Sequence, residues 1–590
     1  MNQDSPISST PPQDHNKGGV SDPAKTSQIQ PIQFYLHSKE IILDKRRFSK
    51  SLLTHFKTSK SSRYTTIHGQ RGHHFMKDCQ KVLRTQLQLS KLHLLLESWK
   101  SFENKYLLSQ IRHLTSLSSL ILIFGGDSKH HIIPEKALSK TLISLKQLKH
   151  LDLFFINLSF DDPELFKNLA KSLHKVSKVS SLSLEFFNCQ SLTSLHYNFL
   201  LSKLPKFNAL RSLMLGFSHS DDLLDVDINT LISMLNRLSL LTKIGLSIIA
   251  TRQKILPGST LVKLFKAFQS MKNLSNLTFC AYGWELVSLD SDEPFLESLR
   301  CLAGSSIKRL ALSIFRNFSN ENLKELSEAL KEFPLLESFH LNIDEWQLPV
   351  DECIAQFGSA LAWMSLLTSL SLGFSYRIRN KNIIQTIASA LMSLQNLVSL
   401  RLNLKSDDEI ADEQFQILFT NIRSLRSLKY LNIWITGENK ITDTSLEVLG
   451  ESLKSLNILK NLSLEVGSSF LITNKGVEAI CIGIQEGLSN LFGLRLIFGS
   501  NQNINEKALR KIGKTLKSLF SLYEFTLEFG RPLEETDLGE LFEVFRQMKN
   551  IQEIWLSFSN SKGNFREIDW LKKIKSATVT FSQHHKDMFI

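Results

Sequence analysis

One pattern, apolar-x-x-apolar-x-x-apolar-x-apolar-x-apolar, recurs from about residue 114 to residue 558. Clear copies begin at Val176, Phe207, Met364, Leu394, Leu425 and Leu456. Taking its third apolar position as a marker gives Leu120, Leu151, Leu182, Leu213, Ile244, Leu277, Leu310, Phe339, Leu370, Leu400, Leu431, Leu462, Leu494, Phe525 and Ile554, fifteen positions spaced 29 to 33 residues apart. A fixed period of this size is the mark of a repeat architecture rather than of one globular core.

Within each unit the end of the pattern alternates with period two, which predicts a short strand with one buried face. The stretch that follows is apolar at i, i+3, i+4 and i+7, as in Leu323-KELSEALKEF and Ala508-LRKIGKTLKSL, and predicts a helix. Asp161-Asp162-Pro163 and Thr442-Asp443 supply helix starts by placing a capping oxygen before the first turn. The fold class is therefore α/β, a solenoid of about fifteen ~31-residue strand-helix units. Strands pack roughly 4.8 Å apart and helices roughly 8 to 10 Å apart, so the expectation is a horseshoe with the parallel sheet inside and the helices outside.

These residues resemble the ribonuclease-inhibitor-like leucine-rich-repeat family, whose repeats carry an LxxLxLxxN/CxL motif and a full helix. The resemblance covers roughly three quarters of the chain. Long repeats of this style, poor in Asn, are also similar to a group of ciliate leucine-rich-repeat proteins. The family's Asn/Cys position falls here on Ile156, Phe187, Ser218, Asp344, Lys405, Gly467, Gly499 and Gly530, so the amide ladder that the motif implies is missing. Backbone groups at that turn need another partner, such as water.

Four regions follow: a tail over 1–30 expected to be disordered, a basic arm over 31–88, the solenoid over 89–560 and a C-terminal cap over 561–590. Leu92, Leu94 and Leu96 begin a capping unit in this reading, and the segment from Ile574 forms a last edge strand. Formal net charge is +13, but Lys39 to Lys91 holds thirteen Lys/Arg against Glu40, Asp44 and Asp78. The remaining repeats are nearly neutral. The basic segment 39–91 has a composition compatible with nucleic acid or an anionic membrane, yet it carries no defined motif; a solvated arm docking on the first repeat or an acidic partner is preferred. His68, His73, His74 and Cys79 match no zinc spacing.

No run of eighteen apolar residues and no signal-like start is present, and the six cysteines are scattered without a CxxC pair. Sequons at Asn276 and Asn461 fall inside predicted strands, where a glycan fits poorly. An intracellular, by default cytoplasmic, address is expected, with the nucleus left open. There is no P-loop, GxSxG, HExxH, HRD-like or DFG-like motif, so no enzyme and no cofactor is expected.

Function then rests on the inner sheet face. Its middle is rich in Ser, Gly, Ala and Thr, which fits either close approach of a partner backbone or, preferably, tight curvature with little room. From Arg401 onward large side chains gather, and Arg401, Tyr430, Trp434, Glu465, Arg495, Glu524, Glu528, Glu553 and Trp555 form the candidate partner-binding set. Trp, Tyr and Arg are the residues that most often carry interface energy. The competing reading is a solvated face with cross-strand pairs such as Glu465 beside Arg495. The expected function is a non-enzymatic protein–protein interaction scaffold, with a small-GTPase regulator, a ubiquitin-ligase substrate adaptor or nucleic-acid binding by the basic arm as alternatives. The partner and the oligomeric state are not encoded in these patterns.

Overall fold

The computed structural model describes residues 89–97 and 101–559 apart from short connecting stretches, together with the strands Ile42–Asp44, Tyr64–His68 and Ser576–Ser582. The tail, most of the basic arm with its His73, His74 and Cys79, and the segment 561–575 lie outside the described residues.

Among the described residues nineteen strands form one parallel sheet. Each strand pairs with the strand before it and the strand after it in the chain, from Ile42–Asp44 through to Ser576–Ser582. Helices fill the crossovers, beginning with Ser101–Ile111 and ending with Glu535–Gln547. The molecule is a leucine-rich-repeat solenoid. The marker residues are in exact cross-strand register: Leu400 faces Leu431, Leu431 faces Leu462, and Leu462 faces Leu494.

Burial explains the periodicity. The strand His150–Ile156 alternates buried positions with more open ones throughout, with Leu151, Leu153 and Phe155 inside. The helix Asn382–Leu391 buries Ile383, Ile384, Ile387, Ala388, Ala390 and Leu391, the spacing that puts one stripe against the sheet. Turn leucines such as Leu394 and Leu397 close the unit. One core runs without interruption from Leu89 to Phe558. In its first half, Phe124, Phe155, Phe186 and Phe217 stack in series at centroid separations of 5.5, 4.9 and 6.4 Å, an arrangement worth roughly 0.5–1.5 kcal/mol per pair beyond the area buried.

The missing amide ladder is replaced in two places. At the family's Asn position, or one residue past it, the backbone is satisfied by a neighbouring strand: Gly467 N–H donates to the Ile435 carbonyl at 2.9 Å, and Asn157 N–H, next to Ile156, to that of Phe187 at 2.9 Å. A side-chain ladder exists instead at the helix starts. The first residue of one helix accepts from the main-chain N–H of the capping residue in the next repeat: Asn320 from Val350 (2.9 Å), Asp412 from Thr442 (2.8 Å), Asp443 from Thr473 (2.7 Å) and Asn474 from Asn505 (2.9 Å). Thr442, Thr473 and Asn505 in turn accept N–H groups of their own first turns. Asn273, Asn396 and Asn550 add a further stitch, each donating to a carbonyl in the preceding repeat at 2.7–3.0 Å.

Candidate functional site

Apolar strand residues point into the core, so the alternate residues lie on the open face of the sheet, away from the helices. The nine candidates occupy the strands Ser399–Ser406, Tyr430–Gly437, Asn461–Val466, Gly493–Ile497, Glu524–Phe529 and Glu553–Ser559. Register places them in three rows crossing these strands. Tyr430, Asn461, Gly493, Glu524 and Glu553 form the first row; Arg401, Asn432, Ser463, Arg495, Thr526 and Trp555 the second; Trp434, Glu465, Ile497 and Glu528 the third. From Arg401 to Trp555 is five strand spacings, about 24 Å at ~4.8 Å each. The set is thus an extended strip and not a pocket.

Within it Trp434 stands directly opposite Glu465, and Glu524 directly opposite Glu553. Tyr430 is 41% exposed, while Trp434, Glu465, Arg495, Glu524, Glu528, Glu553 and Trp555 are half-buried. The cross-strand pair expected between Glu465 and Arg495 does not form as a direct contact. Arg495 is in register with Ser463, and Glu465 with Ile497, so the two charges sit on a diagonal. Burial pushes the Glu465 carboxyl above its ordinary range; the charge of Arg495 pulls it down and that of Glu528 pushes it further up.

Asn432 and Ser463, which the sequence did not single out, belong to the same surface. The side-chain atoms Asn432 Oδ1, Ser463 Oγ, Trp434 Nε1 and Arg495 Nε are all buried and have no hydrogen-bond partner among the described residues. These four lie on three adjacent strands. Only register could have brought them together, since they are 2 to 63 residues apart in the chain. Beside them Phe492 and Tyr523, the residues entering the Arg495 strand and the strand after it, stack at 4.9 Å with an interplanar angle of 8°.

Four glycines on this face lie against a side chain of the preceding strand. Gly216 lies against the Glu185 side chain, Gly245 against Met214, Gly373 against Asn342 and Gly493 against Asn461. Each glycine follows a longer side chain on the preceding strand, which covers the space that its own Cβ would need.

Burial displaces other titratable groups on this face as well. Asp152 is raised to about 6 and Glu185 to about 7, the latter held by a 2.9 Å hydrogen bond from Ser183 and pushed further by the Asp152 charge. His340 is lowered to about 4 by burial and by Arg401, two strands away, so its ring is neutral near pH 7. Among the described residues no group of three or more His, Cys, Asp or Glu is placed to hold a metal ion. No described helix is long and apolar enough to cross a membrane.

No protein-family model matches the chain, and no curated protein matches it by sequence. Solved structures similar to it include the Rad7 and Elc1 complex in yeast (TM-score 0.43, 16% identity, covering 72% of this chain and 94% of that one). The leucine-rich-repeat-containing protein LegL7 from Legionella pneumophila is similar over 54% of this chain and 93% of its own, with a TM-score of 0.30 and 16% identity.

Proposed function

We propose that this chain is a non-enzymatic interaction scaffold that binds a protein partner across the open sheet face between Arg401 and Trp555. One observation carries the reading: four buried polar atoms with no hydrogen-bond partner among the described residues, Asn432 Oδ1, Trp434 Nε1, Ser463 Oγ and Arg495 Nε, lie together on three adjacent strands of this face. Buried polar groups in folded proteins are nearly always hydrogen-bonded, and each orphan costs about 1–3 kcal/mol. A surface that keeps several side by side is one that a partner completes. The aromatic and Arg content of the strip fits the same use. The ~31-residue unit with a full helix supports the ribonuclease-inhibitor-like reading, and reduced thiols at Cys189, Cys280, Cys301, Cys353 and Cys481 support a cytoplasmic setting.

The test is site-directed photocrosslinking with the full chain in cell extract. Benzoylphenylalanine replaces Tyr430 in one sample and Trp363, a 71% exposed residue ending the helix Asp351–Trp363, in the other. A discrete adduct from position 430 that is absent from position 363 is expected. Adducts from 363 alone, or from neither, would overturn the assignment.

A further inference from the structure

We propose that Asn432, Trp434, Ser463, Glu465 and Arg495 bind an extended segment of the partner's polypeptide through its main-chain amide groups. This rests on the open-face scaffold reading and names the chemistry of its occupant.

The argument starts from what the five side chains offer. Trp434 Nε1–H and Arg495 Nε–H are donors, Asn432 Oδ1 and the Glu465 carboxylate are acceptors, and the Ser463 hydroxyl is both. Four of these groups contribute a buried atom with no partner among the described residues. The Glu465 carboxylate is shifted by burial and by charges on either side. The set therefore alternates donor and acceptor over three neighbouring strands, Asn432 in register with Ser463, Ser463 with Arg495, and Trp434 with Glu465.

Such a mixture selects among ligands. A free anion would satisfy Trp434 and Arg495 but meet the Glu465 carboxylate. A cation would have the reverse difficulty with Arg495. A peptide group carries an N–H and a C=O together and can use both kinds of atom at once. Three strands span about 10 Å, which an extended chain covers in about three residues. Access follows from partial exposure: Asn432, Trp434, Ser463 and Arg495 each retain some exposed surface. Arg495 and Glu465 sit on a diagonal rather than directly opposite, with no ion pair between them.

The experiment pans a phage-displayed library of random linear peptides on the immobilised full chain and measures the affinity of enriched peptides in solution. The variants are Trp434→Phe, which keeps the ring and removes the N–H, and Arg495→Met, each checked for an unchanged circular dichroism spectrum. We expect enriched peptides that lose at least tenfold in affinity against either variant, lose a similar factor when two adjacent peptide nitrogens are methylated, and are not displaced by inorganic phosphate. Peptides bound equally by wild type and both variants would overturn the proposal. So would displacement by phosphate without sensitivity to methylation, which identifies an anion site, or a library that yields no binder. A crosslink at position 430 alongside any of these failures removes the peptide assignment and leaves the scaffold standing.

Discussion

The Asp443 carboxylate accepts both the main-chain N–H of Thr473, at 2.7 Å, and its hydroxyl, at 2.6 Å, thirty residues further along the chain. The same oxygen that takes the N–H also accepts from Gly476 at 3.0 Å. One side chain thereby binds the start of the next helix to its own. Asp443→Ala leaves several donors without an acceptor, and the expected loss is about 2–4 kcal/mol, read as a lower urea midpoint. Asp443→Asn should retain part of it. An alanine variant as stable as wild type would show that water replaces the ladder.

The helices Asp443–Leu453 and Asn474–Gly487 touch backbone to backbone at two glycines. A Cβ on Gly483 would overlap the Gly450 carbonyl, whereas one on Gly513, in the helix Glu506–Leu516, would meet only a Val544 methyl at 3.7 Å. Gly483→Ala should destabilise by several kcal/mol on the scale of other backbone clashes. Gly513→Ala should be neutral or stabilise by about 0.5–1 kcal/mol, because alanine is the better helix former. Thermal melts of the pair check this, and equal behaviour would refute the close approach.

Glu185 gives a pH dependence with a definite sign. Its folded value of about 7 lies above the ordinary 4.5, so the folded state holds the proton more tightly than the unfolded one. Stability contributed by this site is intact below pH 4.5, declines as pH rises toward 7 and stays low above it. Glu185→Gln can still accept from Ser183 and never ionises. It should gain roughly 3 kcal/mol over wild type at pH 8 and almost nothing at pH 4, at about 1.4 kcal/mol per unit of displacement. Melting curves at the two pH values decide it; a gain independent of pH would assign the effect to packing.

Asn432→Leu tests whether the unpaired atoms weigh on the free protein. Replacing an orphaned amide with an apolar group of similar size should stabilise the chain by about 1 kcal/mol and weaken the crosslink at position 430. A destabilised variant would mean that Asn432 Oδ1 is satisfied by water.

The repeat was legible because its cause is repeated: fifteen strands and helices bury the same positions, and Leu400, Leu431, Leu462 and Leu494 proclaim one register. Helix starts at Pro163 and Asp443 were legible from local capping chemistry. The candidate strip was legible as composition, since Trp434, Arg495 and Trp555 stand out by size. Its polar gaps were not, because Asn432 and Ser463 are unremarkable until Arg495 is set beside them. Nor was the helix-start ladder, for Asp412 and Asp443 look like ordinary caps of their own helices while their oxygens serve the next repeat. The placement of Gly216 and Gly373 follows the same rule, set by Glu185 and Asn342 one strand away.

Each described strand pairs with its neighbours in the chain, the first and last with one neighbour each. Among the described residues sheet pairing therefore joins only neighbouring units, and the entropy of closing long loops is largely absent from forming it. Each completed unit is the template on which the next condenses, so structure can accumulate while the polypeptide is still emerging from the ribosome. The same arrangement lets a whole unit be gained or lost without rewriting its neighbours, giving a lineage a ruler whose length is adjustable in steps of one repeat.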